Sequence, residues 1–318
     1  MKRNITFNYC KDFKCVDKNC KHNCCTKWQI DIDGKTLKKY QVYVNDNDNE
    51  FSKALRNGVD FSDRRFVMKT VNGEKRCAFL NDENLCEIII NLGENYLSKT
   101  CKVHPRFKTF LPDRIETGVS LACEEGARRL LTFHDKIALT DNTEEPDDKT
   151  FIGSLKKMRK DALRIVQDDK KDINERIDNL LTYYRFDKIK FYGADYKKVL
   201  NSLNILDSAW QKRIDKIDIK NISVKKEYAH FVENLLSYFI LKHLLRAQDR
   251  LDALSRIGFC VFGALTIYSI FINENNLNVE ALIDIARAFS SEIEYDDDNI
   301  FTLLTEIEEY IIHNQVNL

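Results

Sequence analysis

Hydrophobic and polar positions follow two different patterns along the chain, and the pattern changes near residue 140. From Phe151 onward, apolar residues recur every three or four positions, which is typical of one face of an α-helix. This spacing predicts amphipathic helices that cover these segments: 155–166, 173–181, 228–250, 251–272, 279–289 and 300–312. Residues 150–318 are therefore predicted to form a helical domain.

The first 140 residues show a mixed pattern. Two apolar stretches, 66–71 and 77–80, flank Asn72-Gly73, a pair that favours the type I′ turn of a β-hairpin. Other short elements are predicted nearby: a strand at 114–120 and helices at 35–44 and 123–133. The expected fold class is α+β, predominantly α, with a small N-terminal domain at residues 1–140 followed by a helical bundle.

Composition excludes several classes of protein. Lys plus Arg and Asp plus Glu both number 50, so no net charge directs the chain to nucleic acid or to an anionic membrane. The apolar run 257–272 is shorter than the roughly 20 residues that span a bilayer, which predicts a buried core helix. The first residues, MKRNITFNYC, lack the apolar stretch of a secretory signal. We therefore expect a cytoplasmic protein that binds neither nucleic acid nor membrane.

Cysteine is distributed very unevenly along the chain. Nine of the ten cysteines lie within the first 123 residues. In a reducing compartment, such a group more often binds metal or performs redox chemistry than forms disulfides. Cys10 and Cys260 lie outside the main pattern and are predicted to be dispensable. The eight remaining cysteines are the predicted metal ligands: Cys15, Cys20, Cys24, Cys25, Cys77, Cys86, Cys101 and Cys123.

Two kinds of metal group suit these thiols. Thiolates select zinc or iron–sulfur centres, and both commonly take four ligands. The spacing fits no common zinc finger, and it lacks the C-x2-C-x2-C run of ferredoxins, whereas ligands scattered over loops suit an iron–sulfur cluster. A 4Fe–4S cluster is favoured, with zinc as the alternative. His22 and His104 could be further donors, although histidines are more often packed or solvated.

The cysteines and their neighbours form a recognisable set of motifs. In chain order these are Asp12-Phe-Lys-Cys15, Cys20, Cys24-Cys25, Trp28-Gln-Ile-Asp-Ile32, Cys77-Ala-Phe-Leu80, Leu85-Cys86, Thr100-Cys-Lys-Val-His-Pro-Arg106 and Leu121-Ala-Cys-Glu-Glu125. This set resembles the bacterial flagellin lysine-N-methylase family, over about the first 130 residues. The chain departs from the usual pattern at Ala78, where the family often has proline, and at Lys102 and His104.

The resemblance implies an enzyme that transfers a methyl group from S-adenosylmethionine to lysine side chains of flagellin. It also implies an iron–sulfur cluster held by the N-terminal cysteines. Trp28 and Arg106 are the candidate cofactor-binding residues, and Tyr96, Asp31 and Asp33 are further candidates for shaping a pocket, although such residues also serve in packing. No G-x-G-x-x-G loop follows a predicted strand, so the commonest nucleotide-binding signature is absent from the sequence. The alternative function is a non-catalytic zinc- or iron-binding module with a redox or interaction role.

Overall fold

Helices dominate the structure, which is a computed structural model that describes residues 2–141 and 149–314. Helices account for 57% of it and strands for 11%. The prediction of a mainly helical chain with small sheets is therefore confirmed.

The strands are short and lie in the first 119 residues. They are β1 (Arg3–Thr6), β2 (Val59–Asp60), β3 (Arg65–Phe66), β4 (Met68–Val71), β5 (Glu74–Cys77), β6 (Arg106–Phe110) and β7 (Arg114–Val119). The predicted hairpin is confirmed, because β4 pairs antiparallel with β5. Its turn residues Asn72 and Gly73 have φ values of 52° and 81°, as a type I′ turn requires.

The helices continue to the end of the described chain. They are α1 (Gly34–Asp46), α2 (Glu50–Gly58), α3 (Glu87–Leu92), α4 (Lys99–Val103), α5 (Glu124–Leu131), α6 (Phe151–Val166), α7 (Ile173–Tyr183), α8 (Lys188–Gly193), α9 (Tyr196–Ser202), α10 (Ser208–Ile214), α11 (Ala229–His243), α12 (Arg250–Ile272), α13 (Val279–Phe289) and α14 (Asp297–His313). A π-helix, Ser290–Glu294, follows α13. All the predicted helices are present, although 228–250 is helical only to His243 before a 3₁₀ turn. The short helices α2 to α4 and α8 to α10 were not predicted.

The chain divides into two compact units. One unit, called the cysteine unit here, is Lys14–Arg106, and the other, the helical unit, combines the chain up to Phe13 with the chain from Phe107 onward. Much of the predicted boundary at residues 140–150 lies outside the described residues. Pairing of β1 with β7 places the first residues in the helical unit.

Local capping and a small aromatic core hold the cysteine unit together. Asp33 caps α1 by accepting the Thr36 N–H, and Asn49 and Ser52 form a reciprocal capping box at the start of α2. The core lies between these helices and the strands β2 to β5. Its most buried side chains are Ile30, Tyr40, Leu55, Phe66, Phe79 and Ile88.

The helical unit is built around α12. This helix contacts α11, α13 and α14, and a three-stranded sheet in the order β1-β7-β6 belongs to the same unit. By length and composition α12 could cross a membrane, but 89% of its most apolar stretch is buried inside the protein. This burial agrees with the core helix predicted from the run 257–272.

Candidate metal centre

Seven of the ten cysteines belong to the cysteine unit, where short backbone contacts arrange several of them. The Cys77 N–H at the end of β5 donates to the Cys25 carbonyl at 2.8 Å. Leu80 forms an isolated β-bridge with Cys86, which is the N-terminal cap residue of α3. Cys101 lies within α4, and its N–H donates to the Ser98 hydroxyl at 3.1 Å. Segments far apart in sequence are thereby joined by the residues that carry the thiols.

Five of these thiols influence one another electrostatically, namely those of Cys24, Cys25, Cys77, Cys86 and Cys101. Burial raises the pKa of Cys77 to about 12, and negative charge on Cys101, Cys86 and Cys24 adds to the effect. Burial likewise raises the pKa of Cys101 to about 11, with contributions from Cys86 and Cys24. Negative charge on one of these thiols therefore disfavours ionisation of its neighbours, and burial adds to this effect at Cys77 and Cys101.

Cys24 and Cys25 form a hydrogen-bonded pair within this group. The bond lowers the pKa of Cys24 and raises that of Cys25 well above its usual value. Cys24 is exposed, whereas Cys25 is half-buried. Negative charge on Cys77 and Cys101 also raises the pKa of Cys25. The two adjacent residues therefore present one accessible thiol and one that faces the buried group.

Cys15 and Cys20 lie in the irregular segment before this pair. The Cys15 sulfur accepts the Asp17 N–H at 3.4 Å, and burial, followed by the effects of Asp17 and Cys24, raises its pKa. The Cys20 thiol donates to the His22 carbonyl at 3.3 Å. Cys15 is therefore electrostatically linked to the five-thiol group through Cys24.

Among the described residues, the thiols do not form a compact ligand set for a single ion. Within residues 2–141 and 149–314, no three His, Cys, Asp or Glu side chains are close enough together to hold one metal ion. Thiolates at 2.3 Å from one zinc would lie about 4 Å apart. A group of several metal atoms also takes thiolate ligands, so the donor chemistry alone suits zinc and an iron–sulfur cluster alike.

The predicted pocket residues are in three different settings. The Trp28 indole N–H donates to the Cys24 carbonyl at 2.7 Å, and its ring lies 5.7 Å from the His104 ring, so Trp28 contacts two of the predicted motifs. Arg106 is exposed at the start of β6. The Tyr96 carbonyl accepts the Tyr40 hydroxyl at 2.5 Å.

The two aspartates have different roles. Asp33 accepts the N–H groups of Thr36 and Lys99 at 3.1 and 2.7 Å, and so it joins the starts of α1 and α4. Although burial opposes the change, these N–H groups lower the pKa of Asp33. Asp31 forms a β-bridge with Arg65. The position of Asp33 is explained by helix capping, a role that its Asp-Gly sequence before α1 could have indicated.

The remaining three cysteines belong to the helical unit. Cys123 is half-buried at the N-terminal cap of α5, as predicted from the helix pattern. Cys10 is buried, and its sulfur accepts the Val119 N–H at 3.2 Å. Cys260 is fully buried within α12. The surroundings of Cys10 and Cys260 are those of core residues.

A buried ionic group in the helical unit was not predicted. The Lys242 ammonium lies 2.8 Å from the Glu294 carboxylate, and the His243 ring nitrogen lies 2.6 Å from the same oxygen. Burial lowers the pKa of Lys242 and lowers that of His243 to about 4. Burial alone would raise the pKa of Glu294, but Lys242 and His243 lower it to about 2. The signal in the sequence was the pair Lys242-His243, which directly follows the largely apolar run 235–241.

Comparisons with known proteins identify relatives for part of the chain. No protein-family profile matches, and no solved structure matches. Lysine-N-methylases of Salmonella typhimurium and Salmonella choleraesuis are 30% identical over 141 residues, which is 41% of this chain and 33% of theirs. The match thus spans about a third of the length of these two relatives.

A second kind of relative is covered more fully. The flagellar biosynthetic protein FliU of Salmonella muenchen is 30% identical over 137 residues, which is 40% of this chain and 76% of FliU. The extent of this match agrees with the motifs found in the first 130 residues. The chain belongs to the family of these lysine-N-methylases and FliU.

Proposed function

We propose that this protein is a cytoplasmic, S-adenosylmethionine-dependent lysine N-methyltransferase that acts on flagellin. The observation that carries the proposal is the cysteine unit, where backbone contacts join Cys25 to Cys77 and Leu80 to Cys86 in the part of the chain that carries the family motifs. The printed names of the relatives, lysine-N-methylase and flagellar biosynthetic protein, support the reaction and the flagellar substrate. Under this proposal, the same protein binds a metal group through its cysteines and transfers a methyl group.

The residues that would hold an iron–sulfur cluster are drawn from Cys15, Cys20, Cys24, Cys25, Cys77, Cys86, Cys101 and Cys123. When bound, such a cluster supplies positively charged iron that can stabilise thiolates and anchor a polar ligand. Burial of Cys77 and Cys101 disfavours their ionised forms, so these thiols keep their protons until a positive charge is present. Binding of the cluster is therefore coupled to release of protons.

The reaction also sets a requirement for the substrate amine. A lysine ammonium has no free electron pair, and its usual pKa of about 10.4 keeps it protonated at neutral pH. The protein must remove that proton before the nitrogen attacks the methyl group. Trp28, whose indole binds the Cys24 carbonyl, and the exposed Arg106 are the proposed residues that line the cofactor site. Removal of Trp28 or Arg106 should reduce activity while the metal stays bound.

A closed metal module without activity is the second candidate function. The burial of Cys25 and Cys77 favours it, because structural thiolate sites are enclosed, whereas catalytic sites keep an open position. The two functions differ in one measurable respect. The enzyme consumes S-adenosylmethionine in the presence of flagellin, and the closed module does not.

Anaerobic purification followed by labelled methyl transfer tests the proposal. The protein should contain iron and acid-labile sulfide, and it should transfer label from S-adenosylmethionine to flagellin. Cys101→Ser should reduce both, whereas Cys260→Ser, a matched control outside the thiol group, should reduce neither. Stoichiometric zinc without sulfide would contradict the cluster, and fully metal-loaded protein without transfer would favour the closed module.

A further inference from the structure

The turn that carries Cys123 is held by two hydroxyl-bearing residues of the helical unit. The Leu121 N–H donates to the Tyr238 hydroxyl at 3.3 Å. The Ala122 N–H donates to the Ser120 hydroxyl at 3.2 Å, and the Cys123 N–H donates to the Ser120 carbonyl at 3.3 Å. Each of the three consecutive backbone N–H groups that lead into α5 is therefore bound by Ser120 or Tyr238.

The hydroxyl of Tyr238 is fully used in this arrangement. It donates to the Glu294 carboxylate at 3.1 Å and accepts from the Lys242 ammonium at 2.9 Å. Its remaining lone pair accepts from Leu121. These bonds use the phenol both as donor and as acceptor, and the bond to Glu294 sets the direction of its proton, while the Ser120 hydroxyl lies 3.5 Å away as a longer contact. Glu294 and Lys242 thereby set the orientation in which Tyr238 can bind the turn.

Burial makes this arrangement difficult to replace with water. Tyr238 and Lys242 are 1% and 4% exposed, and the carboxylate of Glu294 is 0% exposed. The Lys242 ammonium also lies 5.3 to 5.5 Å from the ring centres of Phe107, Tyr238 and Tyr295. Loss of the Tyr238 hydroxyl would leave the Leu121 N–H without its bond in an interior that excludes solvent.

The turn is packed closely against the first residues of α5. A Cβ atom added at Gly126 would lie 2.4 Å from the Ser120 carbonyl oxygen, so the first turn of α5 sits directly against Ser120. The Ala127 N–H donates to the Cys123 carbonyl at 2.8 Å. Any shift of Ser120 or Leu121 must therefore move Cys123 as well.

We propose that Tyr238 is a positioning residue for Cys123 and is itself oriented by Glu294 on the π-helix and by Lys242. It acts through the backbone of Leu121 and sets where the half-buried Cys123 thiol lies. The role of Cys123 as a cluster ligand rests on the proposed function. The effect of Tyr238 on the position of Cys123 does not, because it can be measured without metal or substrate.

Tyr238→Phe in the full-length chain removes the hydroxyl and keeps the ring. We expect amide hydrogen exchange at residues 121–123, and alkylation of Cys123 by iodoacetamide, to become about tenfold faster. A tenfold change corresponds to about 1.4 kcal/mol, the size expected for one buried hydrogen bond. The matched control is Tyr184→Phe, which removes a hydroxyl bound to the Met158 carbonyl in the same unit and should change both rates less than twofold.

The outcomes separate this proposal from the proposed function. If Tyr238→Phe folds and both rates stay within twofold of wild type, the positioning role is wrong. If Tyr238→Phe does not fold, Glu294→Gln serves in its place, since it removes the carboxylate that orients the Tyr238 hydroxyl, and unchanged rates there also overturn the proposal. Faster rates without any methyl transfer by the wild-type protein would contradict only the function. After reconstitution with iron and sulfide, the absorption spectrum of Tyr238→Phe should differ from wild type at equal iron content.

Discussion

The Cys77 and Cys101 thiols of the cysteine unit are protonated in the absence of a positive charge. Burial raises the pKa of Cys77 to about 12 and that of Cys101 to about 11, so neither is a thiolate at neutral pH. A metal group must displace those protons, and its affinity should therefore rise with pH. Thiols are rare enough for their clustering to be visible in the sequence, and the set of eight metal ligands inferred from that clustering stays a prediction.

The first prediction compares two buried cysteines. Cys77→Ser should remove most of the iron, because serine is a poor ligand for it. Cys260→Ser should retain the metal but lower the free energy of unfolding by about 1–3 kcal/mol, since it buries a hydroxyl in an apolar helix. Iron and sulfide analysis measures the metal content of both variants, and guanidinium unfolding measures their free energy of unfolding. Loss of metal in Cys260→Ser or Cys10→Ser would show that the ligand set is wrong.

The buried ionic group of Lys242, His243 and Glu294 could not be predicted from single residues in the sequence. Lys242 and His243 lie in the last turn of α11, where cations usually interact with the helix dipole at the surface. Their partner Glu294 is 51 residues from His243 in the sequence, and only the folded structure shows that it is near them. Local patterns contain no information about such a distant pairing.

A second prediction concerns the pH dependence of stability. Burial lowers the pKa of His243 from 6.5 to about 4 in the folded protein, so the unfolded chain binds more protons between these values. The free energy of unfolding should therefore fall as the pH drops from 6.5 to 4, by about 3 kcal/mol from this residue. Glu294, whose pKa is lowered from 4.5 to about 2, extends the loss below pH 4.5.

Urea unfolding at a series of pH values measures this effect. His243→Gln should flatten the dependence between pH 6.5 and 4, because it removes the group that takes up the proton. The matched control is His313→Gln, at an exposed histidine near the end of α14, which should keep the wild-type slope. An identical slope in His243→Gln would contradict the assignment.

At the scale of elements, local sequence signals were sufficient for most helices and for the hairpin. The amphipathic spacing predicted α6, α7 and α11 to α14, and Asn72-Gly73 predicted the β4–β5 turn, because both depend on residues close in sequence. The parallel pairing of β1 with β7 was not predicted. Its partners, such as Arg3 and Arg114, are more than a hundred residues apart, and no local rule specifies them.

A third prediction tests the ion pairs that join α6 to β7. Glu116 is 0% exposed and binds Arg159 at 2.5 and 2.9 Å and Arg114 at 2.8 Å. Glu116→Gln removes the negative charge that two buried guanidinium groups share, although Arg114 keeps its pair with Asp113, and this should lower the free energy of unfolding by about 3–5 kcal/mol. Denaturant unfolding measures the change.

An exposed ion pair provides the control for this experiment. Glu50 is 93% exposed and pairs with Lys53 at 2.9 Å on α2. Glu50→Gln should lower the free energy of unfolding by less than about 1 kcal/mol, since exposed pairs contribute little. Equal effects of Glu50→Gln and Glu116→Gln would contradict the structural role given to the buried pairs.

At the scale of the whole molecule, sequence composition indicated two parts but not their limits. Cysteine density separates the first 123 residues from the rest, whereas the compact units are Lys14–Arg106 and the remainder. The difference arises because β1 and β7 pair within the helical unit, which therefore contains both Cys10 and Cys123. A sheet formed by distant segments is not visible in composition.

The proposed activity belongs to the scale of the whole molecule, and its pH dependence can be predicted. If a substrate lysine must lose a proton before attack, the rate of methyl transfer should rise with pH until the apparent pKa of that amine in the complex is passed. Single-turnover transfer from labelled S-adenosylmethionine between pH 6 and 10 measures this. A rate that is independent of pH over the whole range would show that deprotonation does not limit the reaction.

Mass spectrometry of flagellin produced together with this protein tests the central claim most directly. With the wild-type chain, flagellin lysines should gain 14 Da per methyl group, which is the mass of one added CH₂. With Cys101→Ser the gain should be absent or strongly reduced, and with Cys260→Ser it should match wild type. Unmodified flagellin lysines beside a fully metal-loaded wild-type protein, with S-adenosylmethionine present, would contradict the proposed function.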